Sequence, residues 1–326
     1  MKLLKIYIPF LLLALFSLVA CKKNQDIFVP DPGQINGFDT NWVSTINVSM
    51  PISLLKSKLL IPVQRDSFLV SSSIVTSISA TGLKSVIQPA ILLDSNNLQV
   101  TGKIFIESFL LKKKGDLIRM NKPTFSNGRV LATAGTVFIN YKKEGKPLHL
   151  YQTTRVNIQF TEPPSTQPMK LHFGEDLFPD RFNWVPNADS LLNFVNATNY
   201  GYEILTNRLG WINTGYILDG FAAQINVRAK LSSQFTNANT MAYLVFKNNR
   251  SVVNLFGEPS SKSFSSGGIP VGKEAIIVVL SKLANDYYLG SETFTTAAAA
   301  GSINQQVTVT PVKKSIETIN QFLDNL

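Results

Sequence analysis

The chain has 326 residues, 44% of them hydrophobic and 16% charged, and a formal net charge of +10 at pH 7. This composition is typical of folded globular proteins and excludes a disordered chain, while the length predicts about two domains. Cysteine occurs once, which excludes intrachain disulfides and multi-thiolate metal sites.

The N-terminus has the three-part pattern of a secretory signal peptide. Lys2 and Lys5 precede an apolar run over residues 6–15, and small or apolar residues lead to Cys21. The quartet Leu18-Val19-Ala20-Cys21 resembles the lipobox of bacterial lipoproteins, which implies cleavage before Cys21 and attachment of lipid to its thiol. The apolar run is shorter than the roughly 20 residues of a membrane-spanning helix. We therefore expect residues 1–20 to be a signal peptide and Cys21 to be lipidated.

The next segment, residues 21–44, is predicted to be a tether between lipid and body because it is polar and then rich in Pro and Gly. Lys22 follows Cys21; in enteric bacteria an Asp at this position is associated with retention in the inner membrane. The sequence therefore favours an outer-membrane lipoprotein, with the cell surface preferred over the periplasmic face. Its membrane contact would be the lipid, and export argues against nucleic acid as a partner. The scattered basic residues indicate a solvated surface, with a polyanion site as the alternative.

Residues 45–162 are predicted to form an N-terminal β-sandwich. The stretch 156–160 (Val-Asn-Ile-Gln-Phe) alternates apolar and polar residues, as does most of 98–106, so each strand has one buried and one solvated face. Asn127-Gly128 and Glu144-Gly145 are predicted to form tight turns, because Gly and Asn tolerate positive φ.

A Pro-rich boundary at Glu162 to Pro168 separates this part from the rest of the chain. Residues 163–201 are predicted to be an irregular connector, with a short helix over 189–195. Residues 202–326 are predicted to form a second β-sandwich, in which 276–280 is a central strand, followed by a C-terminal helix that Ser315 caps. The fold class is therefore predicted as all-β, with two β-sandwich domains in tandem and a short C-terminal helix.

The sequence contains none of the common catalytic motifs that we considered. His149 and His172 lie between apolar neighbours and favour structural or surface roles, and neither H-E-x-x-H nor G-x-S-x-G occurs. Residues 267–274 have the spacing of a phosphate-binding loop as far as Lys273. Glu274 replaces the required Ser or Thr, Pro270 removes an amide, and an apolar strand follows, so a turn is predicted.

An acidic segment over 175–189 is the most plausible ligand site in the sequence. Asp176 and Asp180 lie near Trp184, and acids beside an aromatic ring are typical of sugar-binding clefts and glycosidases. An acidic surface loop or a calcium site made of oxygen ligands fits the same residues. Trp42, Trp184 and Trp211 could stack on sugar rings, but aromatic residues of sandwiches are more often core residues, and Trp211 is interpreted as facing inward from a strand.

Three stretches resemble known proteins: residues 114–131, residues 209–213 and residues 306–311. Together they resemble a group of uncharacterised surface lipoproteins of the Bacteroidota. The resemblance implies a ZU5-like N-terminal β-sandwich, a type that mediates interactions. It also implies a C-terminal module similar to the transthyretin-like domains called carboxypeptidase regulatory domains, which are not peptidases. It transfers no catalytic residue.

These observations favour a lipid-anchored envelope protein with a non-enzymatic binding or structural role, whose partner is a glycan or an envelope or extracellular protein. No catalytic residue, metal or cofactor is predicted, and the covalent lipid on Cys21 is the only attached group. Two alternatives stay open. One is a carbohydrate hydrolase that uses acids of residues 175–189, and the other is an accessory subunit of an outer-membrane secretion or uptake complex.

Overall fold

The structure is a computed structural model and describes residues 37–178, 181–218, 223–298 and 302–326. The predicted signal peptide, the predicted lipidation site Cys21, most of the predicted tether and Asp180 lie outside these residues. The part of the chain from Ile35 to Leu326 forms one compact unit.

The described residues contain three α-helices: α1 (Pro51–Leu59), α2 (Lys114–Arg119) and α3 (Ile316–Asp324). Short 3-10 turns occupy Gly37–Thr40 and Pro89–Ile91. The predicted C-terminal helix is confirmed: the hydroxyl of Ser315 accepts a hydrogen bond from the Thr318 amide, and Ile319 and Leu323 are buried. None of the described helices is long and apolar enough to cross a bilayer.

Two antiparallel sheets pack around the first core. The first sheet has the order β1-β5-β7-β15-β11-β12, and the short β6 and β8 pair with β7. Its strands are β1 (Gln64–Leu69), β5 (Lys103–Leu111), β6 (Phe125–Ser126), β7 (Arg129–Lys143), β8 (Lys146–Pro147), β11 (Lys170–Phe178), β12 (Arg181–Pro186) and β15 (Gly210–Ile217). The second sheet has the order β13-β14-β10-β3-β2. Its strands are β2 (Val75–Ile78), β3 (Lys84–Ile87), β10 (Val156–Thr161), β13 (Phe194–Thr198) and β14 (Gly201–Thr206).

Alternating apolar residues from both sheets form this core, among them Ile106, Ile139, Ile158, Phe173 and Ile204. Because successive residues of a strand point to opposite faces, the polar residues between them lie on the outer faces. A two-stranded ribbon of β4 (Leu92–Leu93) and β9 (His149–Leu150) accompanies the sandwich.

A third sheet has eight strands in the order β22-β16-β19-β18-β17-β20-β21-β23. They are β16 (Gln224–Lys230), β17 (Thr240–Phe246), β18 (Val252–Glu258), β19 (Ser263–Pro270), β20 (Glu274–Leu283), β21 (Asp286–Thr295), β22 (Asn304–Thr308) and β23 (Val312–Lys314). One core contains Val227 of β16, Leu244 of β17 and Ile277 of β20, together with Val130 of β7, so this sheet packs against part of the first sheet. A further core joins Tyr243 and Val278 to the three helices, which leaves β17 buried on both faces.

The predicted all-β fold with a short C-terminal helix is confirmed. The prediction of a central strand over 276–280 is also confirmed, since β20 lies between β17 and β21. Both predicted turns occur with positive φ: Asn127 and Gly128 join β6 to β7, and Glu144 and Gly145 join β7 to β8.

The predicted irregular connector over 163–201 is corrected. This segment contains β11, β12 and β13, and β14 and β15 after it also belong to the first two sheets. The prolines after Glu162 occupy the connection by which the chain crosses from β10 in the second sheet to β11 in the first. A proline-rich stretch marks the end of a strand, but the following residues return to the same sandwich.

Two local predictions are also resolved. The expected helix over 189–195 is instead a single turn, in which Asp189 Oδ1 accepts hydrogen bonds from the amides of Leu191 and Leu192, followed by β13. The predicted turn near Lys273 is confirmed. Residues 267–270 belong to β19, Gly272 has positive φ and β20 begins at Glu274, so no helix is present to support a phosphate-binding loop.

Candidate functional site

The acidic segment predicted from the sequence does not form an acid pair among the described residues. Glu175 and Asp176 are consecutive in β11, so their side chains point to opposite faces of the sheet. Glu175 lies 3.9 Å from Arg208, while Asp176 lies 3.4 Å from Lys122 and its side chain is 77% exposed. Asp189 caps a turn, and Asp180 lies outside the described residues. The described acids of this segment therefore do not come together in one site.

Trp184 is not at the surface. It is fully buried, its indole nitrogen donates a hydrogen bond of 2.7 Å to the carbonyl of Pro123, and its ring packs edge-on against Phe182. The expectation that Trp184 contacts a ligand is therefore corrected, because the segment around Pro123 covers it. Its neighbourhood is structural.

Trp211 was predicted to face the core of its sandwich, and this is corrected. Its neighbour Ile212 is fully buried in that core, whereas Trp211 lies half-buried on the opposite face, stacked against Phe109 at 5.7 Å. Lys122 Nζ lies 3.7 Å from the Phe182 centroid and 5.0 Å from the Trp211 centroid. Burial of the ammonium lowers the pKa of Lys122, an effect that Asp176 opposes.

The histidines lie apart. His149 is the first residue of β9, and its Nε2 contacts Asn97 Oδ1 at 3.0 Å. His172 is buried in β11 opposite Asn213, and its Nδ1 has no hydrogen-bond partner. Burial lowers the pKa of His172 to about 4, so its imidazole is neutral near pH 7. Within the described ranges, no three His, Cys, Asp or Glu side chains are placed to hold a metal ion.

The strongest candidate site is the outer face of the second sheet. The strand registers place five residues in one row across its five strands. In strand order they are Asn196, Glu203, Gln159, Lys84 and Ile78. Asn157 lies two residues before Gln159 in β10, so the two side chains point to the same face of the sheet. We call Lys84, Asn157, Gln159 and Glu203 the polar platform.

Hydrogen bonds fix the polar platform. Glu203 Oε1 accepts from Asn157 Nδ2 at 2.7 Å and from Gln159 Nε2 at 3.2 Å, and Gln159 Nε2 also approaches Asn157 Oδ1 at 3.1 Å. Within the described part of the chain, Glu203 Oε2, Gln159 Oε1 and the Lys84 ammonium have no such partner. The platform therefore offers two acceptors on side chains that hydrogen bonds hold in place, Glu203 and Gln159, and a cationic donor on Lys84.

An open cavity of about 430 Å³ lies above the polar platform. Tyr200 stands at its rim in the turn between β13 and β14, with 82% of its surface exposed. The hydroxyl of Thr198 accepts the amide hydrogens of Tyr200 and Gly201, which orders this turn. Its lining residues are Ile78, Gly82, Lys84, Gln159, Phe160, Thr161, Thr198, Tyr200, Gly201, Tyr202 and Glu203.

Gly201 allows the rim to approach the platform. A Cβ at this position would lie 2.1 Å from the carbonyl oxygen of Phe160. Glycine therefore lets β14 begin directly beside β10, and this places Tyr200 next to Thr161 at one end of the cavity. The resulting surface combines an exposed aromatic ring with amide, carboxylate and ammonium groups.

The sequence contained a partial signal for this site. The alternation over 156–160 predicted that Asn157 and Gln159 point away from the core. It did not indicate that Glu203 and Lys84 flank them, because those neighbours are set by pairing between strands distant in sequence. Tyr200 is one exposed aromatic among several and had no distinguishing pattern.

Comparison with known proteins adds no family assignment, since neither a family model nor a curated protein sequence matches the chain.

Proposed function

We propose that this chain is a lipid-anchored protein of the bacterial outer membrane that binds a neutral glycan on the polar platform. The observation that carries the proposal is the row Glu203, Gln159 and Lys84, which presents hydrogen-bonded acceptors and a cationic donor in the cavity that the exposed Tyr200 also lines. Sugar hydroxyls donate and accept hydrogen bonds, and the apolar face of a sugar ring packs on an aromatic side chain. Both requirements are met in one open cavity.

Binding without hydrolysis fits the residues of this cavity. Glycoside hydrolysis by the usual route needs two carboxyl groups on either side of the scissile bond. Glu203 is the one acidic residue in the described lining. Its Oε1 already accepts two amide hydrogens, which suits an acceptor for hydroxyl groups rather than an acid that transfers a proton.

Selection on an array of neutral oligosaccharides tests the proposal. The purified chain should bind a subset of glycans reversibly, without releasing shorter products. Tyr200→Ala and Glu203→Gln should each weaken binding about tenfold, since loss of a ring contact or of a charged acceptor costs on the order of 1–2 kcal/mol. Tyr151→Ala is the matched control, because Tyr151 is also exposed, at 56%, but lies outside the cavity.

Two outcomes would contradict the proposal. If the Tyr200 and Glu203 variants bind the selected glycan as tightly as the natural chain, the polar platform is not the site. If the glycan is hydrolysed, the protein is an enzyme, and activity lost in Asp176→Asn would favour the acidic segment.

The anchoring part of the proposal rests on the lipobox-like sequence before Cys21. Cells that produce the natural chain should retain it in the outer-membrane fraction, and added protease should digest its body from intact cells. The Cys21→Ala variant should lose the lipid mass and appear in the soluble fraction. Protection until the outer membrane is broken would place the body in the periplasm. Recovery with an integral outer-membrane protein, without glycan, would favour an accessory subunit.

A further inference from the structure

A second cavity, of about 580 Å³, shares no lining residue with the cavity above the polar platform. It is formed by β6 and the β6–β7 turn, the start of β12 and parts of β16, β18, β19 and β22. Its lining residues are Phe125, Gly128, Arg181, Asn226, Arg228, Phe256, Gly257, Glu258, Ser265, Ser266, Gly267, Gly268 and Asn304. We call it the arginine cavity.

Two guanidinium groups give the arginine cavity its charge. The Arg181 guanidinium lies 5.0 Å from the centroid of Phe256, and within the described ranges no carboxylate lies within salt-bridge distance of it. Stacking on an aromatic ring restricts a guanidinium while leaving its in-plane N–H groups free to bind. Among the described residues, Arg181 therefore presents guanidinium donors that no carboxylate neutralises.

The second guanidinium is only loosely paired. Arg228 Nη2 lies 4.0 Å from Glu258 Oε2, and the Arg228 side chain is 39% exposed. Glu258 is engaged elsewhere, since it accepts hydrogen bonds from Ser265 at 2.7 Å and from Ser261 at 2.9 Å. These hydroxyl bonds are the main cause that lowers the pKa of Glu258. The described lining thus carries two positive charges and one negative charge, a net charge of about +1.

The rest of the lining is uncharged and hydrogen-bonding. Asn226 Nδ2 donates to Asn304 Oδ1 at 3.0 Å, which leaves a second N–H on Asn226 and the amide of Asn304 for a ligand. Two glycines keep the floor open. A Cβ at Gly267 would lie 2.7 Å from Asn226 Oδ1, and Gly268 has φ +72° and lies against the Gly128 carbonyl. The Gly-Gly pair that resembled part of a phosphate-binding loop therefore shapes this cavity.

We propose that the arginine cavity binds the carboxylate of an acidic sugar, a uronate residue of a glycan, at a site separate from the polar platform. A planar carboxylate accepts two parallel N–H bonds from one guanidinium. A single excess positive charge matches one carboxylate better than a phosphate with nearly two charges. The side-chain amides of Asn226 and Asn304 and the hydroxyl of Ser265 would meet the sugar hydroxyls. The volume lies within the range of small-molecule sites.

Calorimetry with trigalacturonate and with its methyl ester tests this proposal. The ester keeps the sugar and removes the charge, so the acid should bind at least tenfold more tightly, and its affinity should fall as salt is raised. Arg181→Gln and Arg228→Gln should each weaken binding of the acid about tenfold. Arg155→Gln is the matched control, since Arg155 also lies over an aromatic ring, Phe194, at 5.4 Å but outside this cavity.

Asn226→Asp supplies a second variant that preserves the shape of the side chain. A carboxylate at this position should repel the acid, so it should weaken binding of the acid at least tenfold more than binding of the ester. Equal affinity for acid and ester, or unchanged affinity in folded Arg181→Gln and Asn226→Asp proteins, would overturn the proposal. Binding of inorganic phosphate with no binding of trigalacturonate would also overturn it. These ligands and variants leave the polar platform unchanged, so failure here is distinct from failure of the neutral-glycan proposal.

Discussion

Arg250 Nη2 lies 2.8 Å from Glu162 Oε1, and Nη1 of the same guanidinium donates a hydrogen bond to the carbonyl of Ala134. Arg250 lies between β17 and β18, Glu162 directly follows β10, and Ala134 belongs to β7. One side chain therefore ties the third sheet to both sheets of the first sandwich. Ala134 is the extra residue of a β-bulge, because the pairing of β7 with β15 passes from Thr133 to Gly135, and its carbonyl is thereby available to Arg250.

We expect Arg250→Ala to lower the free energy of unfolding by about 2 kcal/mol, because the Ala134 carbonyl loses this bond and the Glu162 carboxylate keeps only Lys112, at 3.8 Å. Glu162→Gln should cost less, since its amide oxygen still accepts the bond. Chemical denaturation of both variants and of the double variant measures the coupling. Arg65→Ala is the control, because the Arg65 side chain is 69% exposed. Equal losses in Arg65→Ala and Arg250→Ala would contradict this account.

Gly115 is required for the contact between α2 and α3. A Cβ at this position would lie 1.9 Å from the carbonyl oxygen of Leu323, so α3 must move away or α2 must shift. We expect Gly115→Ala to lower the free energy of unfolding by about 3 kcal/mol despite the better helix propensity of Ala. Gln321→Ala, at an exposed position of α3, should change stability by less than about 0.5 kcal/mol. A Gly115→Ala protein as stable as the natural chain would show that the helices do not approach so closely.

His172 should make stability depend on pH. Burial lowers its pKa from 6.5 to about 4 in the folded chain, so the unfolded chain takes up a proton first as the pH falls. The stability that the neutral imidazole contributes is complete above pH 6.5 and is lost as the pH falls to about 4. Because one unit of pKa difference corresponds to about 1.4 kcal/mol, the whole contribution is about 3 kcal/mol. Urea denaturation of the natural chain and His172→Leu between pH 4 and 7.5 measures it. The free energy of unfolding of the natural chain minus that of the variant should fall as the pH falls. If the two free energies change in parallel with pH, His172 is not responsible.

Lys122 and Asp176 should have unequal effects. Lys122 is 13% exposed and lies over two aromatic rings, whereas Asp176 is 77% exposed. We expect Lys122→Ala to cost about 1–2 kcal/mol through lost packing and cation–π attraction. Asp176→Asn should cost less than about 0.5 kcal/mol, because an exposed ion pair contributes little. Thermal unfolding of both variants provides the comparison, and a larger loss for Asp176→Asn would mean that the carboxylate holds the lysine in place.

Local patterns in the sequence predicted the elements that depend on local interactions. Ser315 with the apolar stripe after it predicted α3, and Asn127-Gly128 predicted a hairpin, because caps and turns are determined by nearby residues. The assignment of 163–201 failed because a proline-rich crossing between two sheets has the same composition as a linker between domains. The ligand-contact prediction for Trp184 failed because its cover, the segment around Pro123, lies 61 positions earlier in the chain.

The candidate site depended on strand pairing, which the sequence does not specify locally. Gln159 lies between Glu203 and Lys84 because β10 pairs with β14 on one side and with β3 on the other. The alternating pattern gave the face of Gln159 but not its neighbours. The arginine cavity depends even more on pairing between distant parts of the chain, because Arg181 and Arg228 belong to strands of different sheets.

Hydrogen exchange with the glycan selected on the array tests the central claim most directly, because it locates the binding surface in the natural chain. If the glycan occupies the polar platform, exchange should slow in the turn at residues 198–201 and in the adjoining loop at residues 79–82. It should stay unchanged at residues 226–228 and 265–268, which line the arginine cavity. Slower exchange elsewhere with no change at residues 198–201 would contradict the claim that this sheet face binds the glycan.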